Sequence, residues 1–410
     1  MKTFVFSIST MMLFQINLFA QTIGFVNVVA DDAFQNKSVV EGNNTFAFEI
    51  YAKTKKDTGN TFMSPYSISS ALAMTYAGAK TETEIQMSKV LHFSLSQKGF
   101  HKEFKTLNDS LLALNKKDLE LKIANSLWIE KDYVFLKDYL TFINAYYNSG
   151  VKKTDFKKQT EKSRLEINKW VELQTNNKIK ELIKPNVLSQ LTRLVIVNAI
   201  YFNGTWDKKF DKKLTQNNDF LAEGENSVSV PFMNVTEQYK YYENDNFQLL
   251  DIPYKGKTVS MIILLPKKNT GLPGIEKSLN WNNYVEYTNA MVYNRIKISI
   301  PKFNMKSEFE LKESLSDMGM PLAFSKEADF SGITGNKDLM IDKVIHKTFI
   351  KIDETGTEAA GSTAVVLIEK SGMPQDPIEF TANHPFIFVI KDNTNNCILF
   401  IGRVSNPLLK

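Results

Sequence analysis

Apolar residues along this chain follow two different spacings, and the change from one to the other comes near the middle. In the first part the spacing is helical. Ser64-Pro65-Tyr66-Ser67 opens a helix that Ser64 or Ser67 can cap, with Ile68, Leu72, Met74 and Ala79 at the apolar positions. Thr160 to Ile183 predicts another helix, with Leu165, Ile167, Trp170, Val171 and Leu173 as its buried stripe and Lys184-Pro185 closing it. Further on, Leu194 to Val197 and Ser260 to Leu265 are unbroken apolar runs, which predict strands covered on both faces. Arg295 to Ile300 alternates polar and apolar residues, as a half-covered strand does. Phe386 to Ile390 and Ile398 to Ile401 flank the polar stretch Lys391 to Asn396 and predict a hairpin. Helices early and strands late, with no repeat or Pro-rich linker between residues 41 and 410, predict an α+β domain.

The N-terminus departs from this pattern. Met1-Lys2-Thr3 precedes a mostly apolar run from Phe4 to Ala20, the shape of a secretory signal peptide. Gln15 and Asn17 interrupt the run, which is short for a span of about 20 apolar residues and argues against a membrane anchor. Cleavage after Ala20 or after Ala30 fits; the first leaves residues 21–42 as an extension and 43–410 as the domain. The expected location is extracellular, with a periplasm as the alternative. A net charge of +5, from 50 basic and 45 acidic residues, is too small to argue for nucleic acid. Cys397 stands alone, so no disulfide joins the chain to itself, and its place before Ile398-Leu399-Phe400-Ile401 reads as a small buried hydrophobe.

Motifs for enzyme chemistry are missing. The sequence has no G-x-S-x-G, H-E-x-x-H, C-x-x-C or G-x-G-x-x-G element and no phosphate-binding G-x-x-x-x-G-K-[ST] loop. None of His92, His101, His346 and His384 stands at metal-ligand spacing with another ligand type. A Ser/His/Asp hydrolase assembled from distant residues stays open as a remote alternative.

The unusual stretch is Gly356-Thr357-Glu358-Ala359-Ala360-Gly361-Ser362-Thr363-Ala364-Val365-Val366, nearly all small side chains. Small residues suit a flexible linker. Here, however, the apolar strand Val344 to Ile352 runs straight into the segment, and Leu367-Ile368 follows it. With period two, one face carries Thr357, Ala359, Gly361, Thr363, Val365 and Leu367; the other carries Glu358, Ala360, Ser362, Ala364, Val366 and Ile368. The first face has no charge, which suits a segment that leaves solvent and becomes a central strand.

Residues 344–365 resemble the hinge and reactive-centre loop of the serpin family. Asn60 to Ile68, Val197 to Trp206, Asp329 to Ile333 and Asn383 to Phe388 resemble other signatures of that family, in the family's order. The resemblance implies one domain of three β-sheets and about nine helices, with an exposed reactive loop over about 354–377. It implies a suicide inhibitor of serine proteases and not an enzyme: cleavage at a bait residue forms an acyl-enzyme, and the loop inserts into the main sheet. Glu354, Gly356, Thr357, Ala359 and Ala360 match the hinge of inhibitory members. A non-inhibitory carrier or chaperone is the alternative. Family spacing from Glu354 places the bait at Lys370 with Ser371 after it, or one residue to either side, and a basic bait suits a trypsin-like partner. Ser64, Ser67, Asn198 and His346 match a polar cluster under the main sheet. Trp206 matches the place where insertion starts, and Lys302 matches an ion-pair partner of Glu354. Lys152, Lys153, Lys157 and Lys158 read as a solvated face. The resemblance implies a monomer with no metal or cofactor and no nucleic-acid or membrane partner.

Overall fold

The computed structural model describes residues 38–409 apart from residues 57, 148–149, 225 and 358–375. Ten α-helices lie among them: α1 (Val39–Thr54), α2 (Pro65–Tyr76), α3 (Thr81–Val90), α4 (Gln97–Leu112), α5 (Lys137–Tyr147), α6 (Phe156–Gln174), α7 (Leu272–Ser278), α8 (Trp281–Asn289), α9 (Lys312–Asp317) and α10 (Ser331–Thr334). The Ser38 hydroxyl caps α1 by accepting from the Glu41 N–H, so the folded unit starts before residue 43, the boundary expected from sequence.

The main sheet has six strands in the spatial order β10 (Phe303–Glu310), β11 (Lys343–Asp353), β12 (Gly356–Thr357), β4 (Leu194–Thr205), β2 (Leu119–Glu130) and β3 (Val151–Thr154). Nine strands make the rest: β1 (Thr61–Met63), β15 (Ile398–Val404), β14 (Phe386–Asp392), β8 (Val259–Pro266), β7 (Phe247–Pro253), β6 (Ser227–Glu243), β9 (Val292–Pro301) and β13 (Ile378–Thr381) in order, with β5 (Gln216–Leu221) beside β6. Continuous hydrogen bonding thus gives two sheets where three were expected. The 17-residue β6 accounts for the difference: its first part pairs with β5 and β9, its last part with β7, and it joins two strand groups without a break.

The unbroken apolar run of β4 follows from cover on both faces. Leu194, Ile196, Ile200 and Phe202 enter the large core shared with α2, whereas Val195, Val197 and Ala199 join a second cluster with Ile167 and Val171 of α6. Every residue of α2 is buried, so this helix carries no polar face.

The helix expected over Thr160 to Ile183 is shifted. α6 starts at Phe156, with the Asp155 carboxylate accepting from Lys158 N–H, and stops at Gln174. Asn176 and Asn177 take positive φ values of 50° and 58°, a conformation Asn tolerates and a helix cannot continue through. Ile183 is then held by its carbonyl, which accepts from Arg164 and Asn168 of α6. Arg164, Ile167, Asn168 and Val171 form the buried stripe, while Leu165 and Leu173, expected inside, are 53% and 61% exposed. Ile167→Ala is therefore expected to lower the urea midpoint by an amount equivalent to about 2–5 kcal/mol. Leu173→Ser should shift it by less than about 0.5 kcal/mol.

Candidate functional site

The site lies where β4 and β11 meet. Over seven residue pairs, Lys343↔Val195 to Phe349↔Tyr201, the two strands pair directly and in parallel. Above these pairs they diverge, and β12 lies between them. Gly356 and Thr357 pair antiparallel with Thr205 and Gly204 of β4 on one side, and with Asp353 and Ile352 of β11 on the other. The hinge expected as the start of an exposed loop is thus already in the sheet: Glu354 is 4% exposed and Thr357 1%. Burial is feasible here because the chain turns back at once. Asp353 Oδ1 accepts from the backbone N–H and the hydroxyl of Thr355, closing a tight reversal. Gly356 has φ of +145°, and a Cβ there would lie 1.9 Å from the Gly204 carbonyl oxygen, so only glycine fits.

Trp206 is fully buried and bonds to the hinge rather than merely packing near it. Its backbone N–H donates to the Thr355 carbonyl at 2.9 Å and its indole N–H to the Asp353 carbonyl at 3.0 Å. Its ring stacks on Tyr254 at 4.5 Å, and the Tyr254 hydroxyl bonds to Thr357 Oγ1 at 2.8 Å. The Thr357 side chain therefore faces the core, on the face that carries no charge. Glu354 Oε1 meets Lys302 Nζ at 3.0 Å and accepts from Thr215 Oγ1 at 2.9 Å. Burial pushes this carboxyl up, but backbone, lysine and threonine donors outweigh it and leave its pKa below the ordinary value.

Beneath the parallel pairs, Ser64, Ser67, Asn198 and His346 form one network, all fully buried. The Ser64 N–H donates to His346 Nε2 at 3.0 Å. Burial holds the imidazole neutral, with its pKa down at about 3. A neutral ring that accepts at Nε2 carries its proton on Nδ1, which donates to Asn198 Oδ1. Asn198 Nδ2 in turn donates to the Ser67 carbonyl at 2.7 Å and to Asn125 Oδ1. Ser64 Oγ donates to the Leu399 carbonyl and accepts from Ser67 N–H, which caps α2. His346 and Asn198 are register partners across the β11–β4 pairing, so this bond crosses the line along which the strands would separate.

Sequence reasoning missed Asn125, Tyr254 and Thr215. Asn125-Ser126 inside the apolar stretch Ile123 to Ile129 was a readable sign of a buried polar pair; nothing distinguished Tyr254 or Thr215. The remaining residues picked from sequence, Ala359, Ala360, Lys370 and Ser371, lie outside the described residues. Among the described residues no group of His, Cys, Asp and Glu could hold a metal ion, and no helix is long and apolar enough to cross a membrane. Cys397 is buried, and burial raises its thiol pKa.

A family model described as "Serpin (serine protease inhibitor)" matches residues 41–407. The chain belongs to the serpin family. Serpin B4 of Homo sapiens is 41% identical over 392 residues, covering 90% of this chain and all of that one. The leukocyte elastase inhibitor of Xenopus tropicalis is 38% identical over 371 residues, covering 88% of this chain and 97% of that one. Among solved structures, human thyroxine-binding globulin complexed with thyroxine superposes with a TM-score of 0.81 at 31% identity, covering 90% of this chain and 98% of that one. Relatives of this chain thus include one named as an inhibitor and one named for binding thyroxine, and serine proteases are the kind of partner that the family's inhibitors meet.

Two outcomes follow from the polar network. Asn125→Ala removes the buried acceptor that the Ser67 hydroxyl and Asn198 Nδ2 share and should cost about 1–3 kcal/mol in urea unfolding. Burial lowers His346 and His101 to about 3 each. Their unfolded values are near 6.5, so below that pH the unfolded chain binds protons that the folded chain refuses. Stability should fall from about pH 6.5 down to about pH 3, by roughly 1.4 kcal/mol per pH unit for each histidine. Urea midpoints at pH 7 and pH 5 check this, and His346→Gln should reduce the difference between them.

Proposed function

We propose that this serpin is a single-use inhibitor of serine proteases, which cleave it at Lys370-Ser371 and are trapped as the loop inserts between β4 and β11. The observation that carries the reading is β12: the hinge is docked as the first two residues of a strand antiparallel to both neighbours. Each residue added after Thr357 moves one step back along β4 and β11. Six residues on, this register sets Thr363 opposite Asn198 on one side and His346 on the other. Thr363 lies on the uncharged face with Thr357, so its hydroxyl would reach the polar network that the separated strands leave behind. The last pairing positions of β4 and β11 are met by Leu367 and Val366, and Lys370 follows a few residues later. The inserted residues 358–367 would span roughly 33 Å of the sheet, at roughly 3.3 Å per residue, and carry a protease joined to Lys370 toward its far end.

The driving force follows from the pairing. Insertion replaces one parallel set of seven pairs by two antiparallel sets, and antiparallel pairing is slightly more stable per residue. Intact chain is held in the less stable arrangement because the bonds across the seam must break first. The Phe4 to Ala20 segment supports export, which would bring the inhibitor to extracellular or periplasmic proteases. A carrier role, as the name of the thyroxine-binding relative suggests for that protein, would leave the loop as a plain substrate.

Mixed with trypsin, the protein should give a complex that survives SDS, and sequencing of the released C-terminal fragment should begin at Ser371. Cleavage with continued trypsin turnover and no complex would overturn the inhibitory reading. Thr357→Arg brings a charge against Tyr254 in the closed sheet. Complex should fall at least tenfold while loop cleavage persists.

A further inference from the structure

A cavity of about 550 Å³ opens on the face of β6, β7, β8 and β14 that the polar network does not use. Its floor is set by register: Lys240 sits opposite Asp251, and Pro253 and Lys391 flank Ser260. Two polar atoms in its wall lack partners, although the Asp251 carboxylate is also hydrogen-bonded by Ser260. Asp251 Oδ1 and the Tyr239 hydroxyl are buried and bond to nothing in the protein, although Tyr239 is 98% covered as judged by its 2% exposure. Such groups are normally satisfied.

The charges around them are of both signs. Lys391 Nζ donates to Asn396 Oδ1 at 2.9 Å, and Lys240 Nζ lies 5.9 Å from the Tyr293 ring centre. Neither lysine forms a close ion pair with Asp251, although both attract it, and burial raises the pKa of this carboxyl and lowers that of Lys391. A simple anion would meet the lysines but leave the Asp251 oxygen facing another negative charge. A simple cation would satisfy Asp251 but face the lysines. We infer that the cavity binds a small zwitterion of amino-acid or dipeptide size, its ammonium on Asp251 and its carboxylate on Lys240, Lys391 and the Tyr239 hydroxyl. The volume is within the range of small-molecule sites, about 300–1,000 Å³.

The site is independent of protease trapping, though it adjoins the hinge: Asp207, next to Trp206, is in the cavity wall, and its N–H donates to the Pro253 carbonyl. Calorimetric titration of the full-length protein with glycine, lysine, glutamate and alanyl-alanine tests it, with sodium acetate and methylammonium chloride as half-ligands. At least one zwitterion should saturate below 1 mM, as an order of magnitude, while the half-ligands do not. Asp251→Asn and the rim variant Lys240→Met should each weaken binding tenfold or more. Failure of all four zwitterions to saturate, or equal binding by both variants, overturns the assignment. Because Lys240 is exposed, its replacement leaves the fold intact if Asp251→Asn does not, and trypsin trapping by both variants reports separately on the inhibitory reading.

Discussion

Between residues 195–201 and 343–349, β4 and β11 exchange hydrogen bonds directly, and a few residues higher the same two strands stand one strand apart with β12 between them. The remaining features of the site depend on that fork. Parallel strands give the seam enough strength to hold, yet a third strand running opposite to both would satisfy more of the backbone. The hinge reversal at Asp353 to Gly356 lies where the two strands part, and Trp206 bonds to it while stacking on Tyr254.

Beside the backbone pairing, the side chains that cross the seam are a chain of neutral groups rather than charges. His346 can bridge Ser64 and Asn198 only as an uncharged ring with its proton on Nδ1; complete burial enforces the first condition and the Ser64 N–H, donating to Nε2, the second. A charged pair at this depth would carry a desolvation cost that a neutral hydrogen-bonded chain avoids. The ion pairs at the fork, Lys302 with Glu354 and Lys351 with Asp353, sit where lysine still reaches solvent.

Much of the fold and of this site was legible in the sequence. The double cover of β4 was readable from its unbroken apolar run, the β14–β15 hairpin from its polar connection, and the inward face of Thr357 from period two. The misreadings have local causes. Leu165 and Leu173 have helical spacing, but the polar pair Arg164 and Asn168 bonds to the Ile183 carbonyl and turns a different stripe inward. The hinge was expected in solvent because the family resemblance implies an exposed loop from about residue 354, whereas the Asp353 turn folds it back. Tyr254 and Thr215 come from distant strands and meet the hinge only through topology, which no local pattern encodes.

The register of β12 also makes the loop a ruler. Its positions are counted from Gly356, the residue pinned against Gly204, so an insertion or deletion in residues 358–367 would shift every later side chain to the opposite face and bring Glu358's face or its neighbours inward. Under the proposed insertion, length upstream of the bait would be fixed by the sheet, while identity at the tip and length on the return side toward Ile378 would be free. On that proposal, a lineage built on this scaffold would change the protease it meets by substitution at the tip, and would lengthen only the side of the loop that stays outside the sheet.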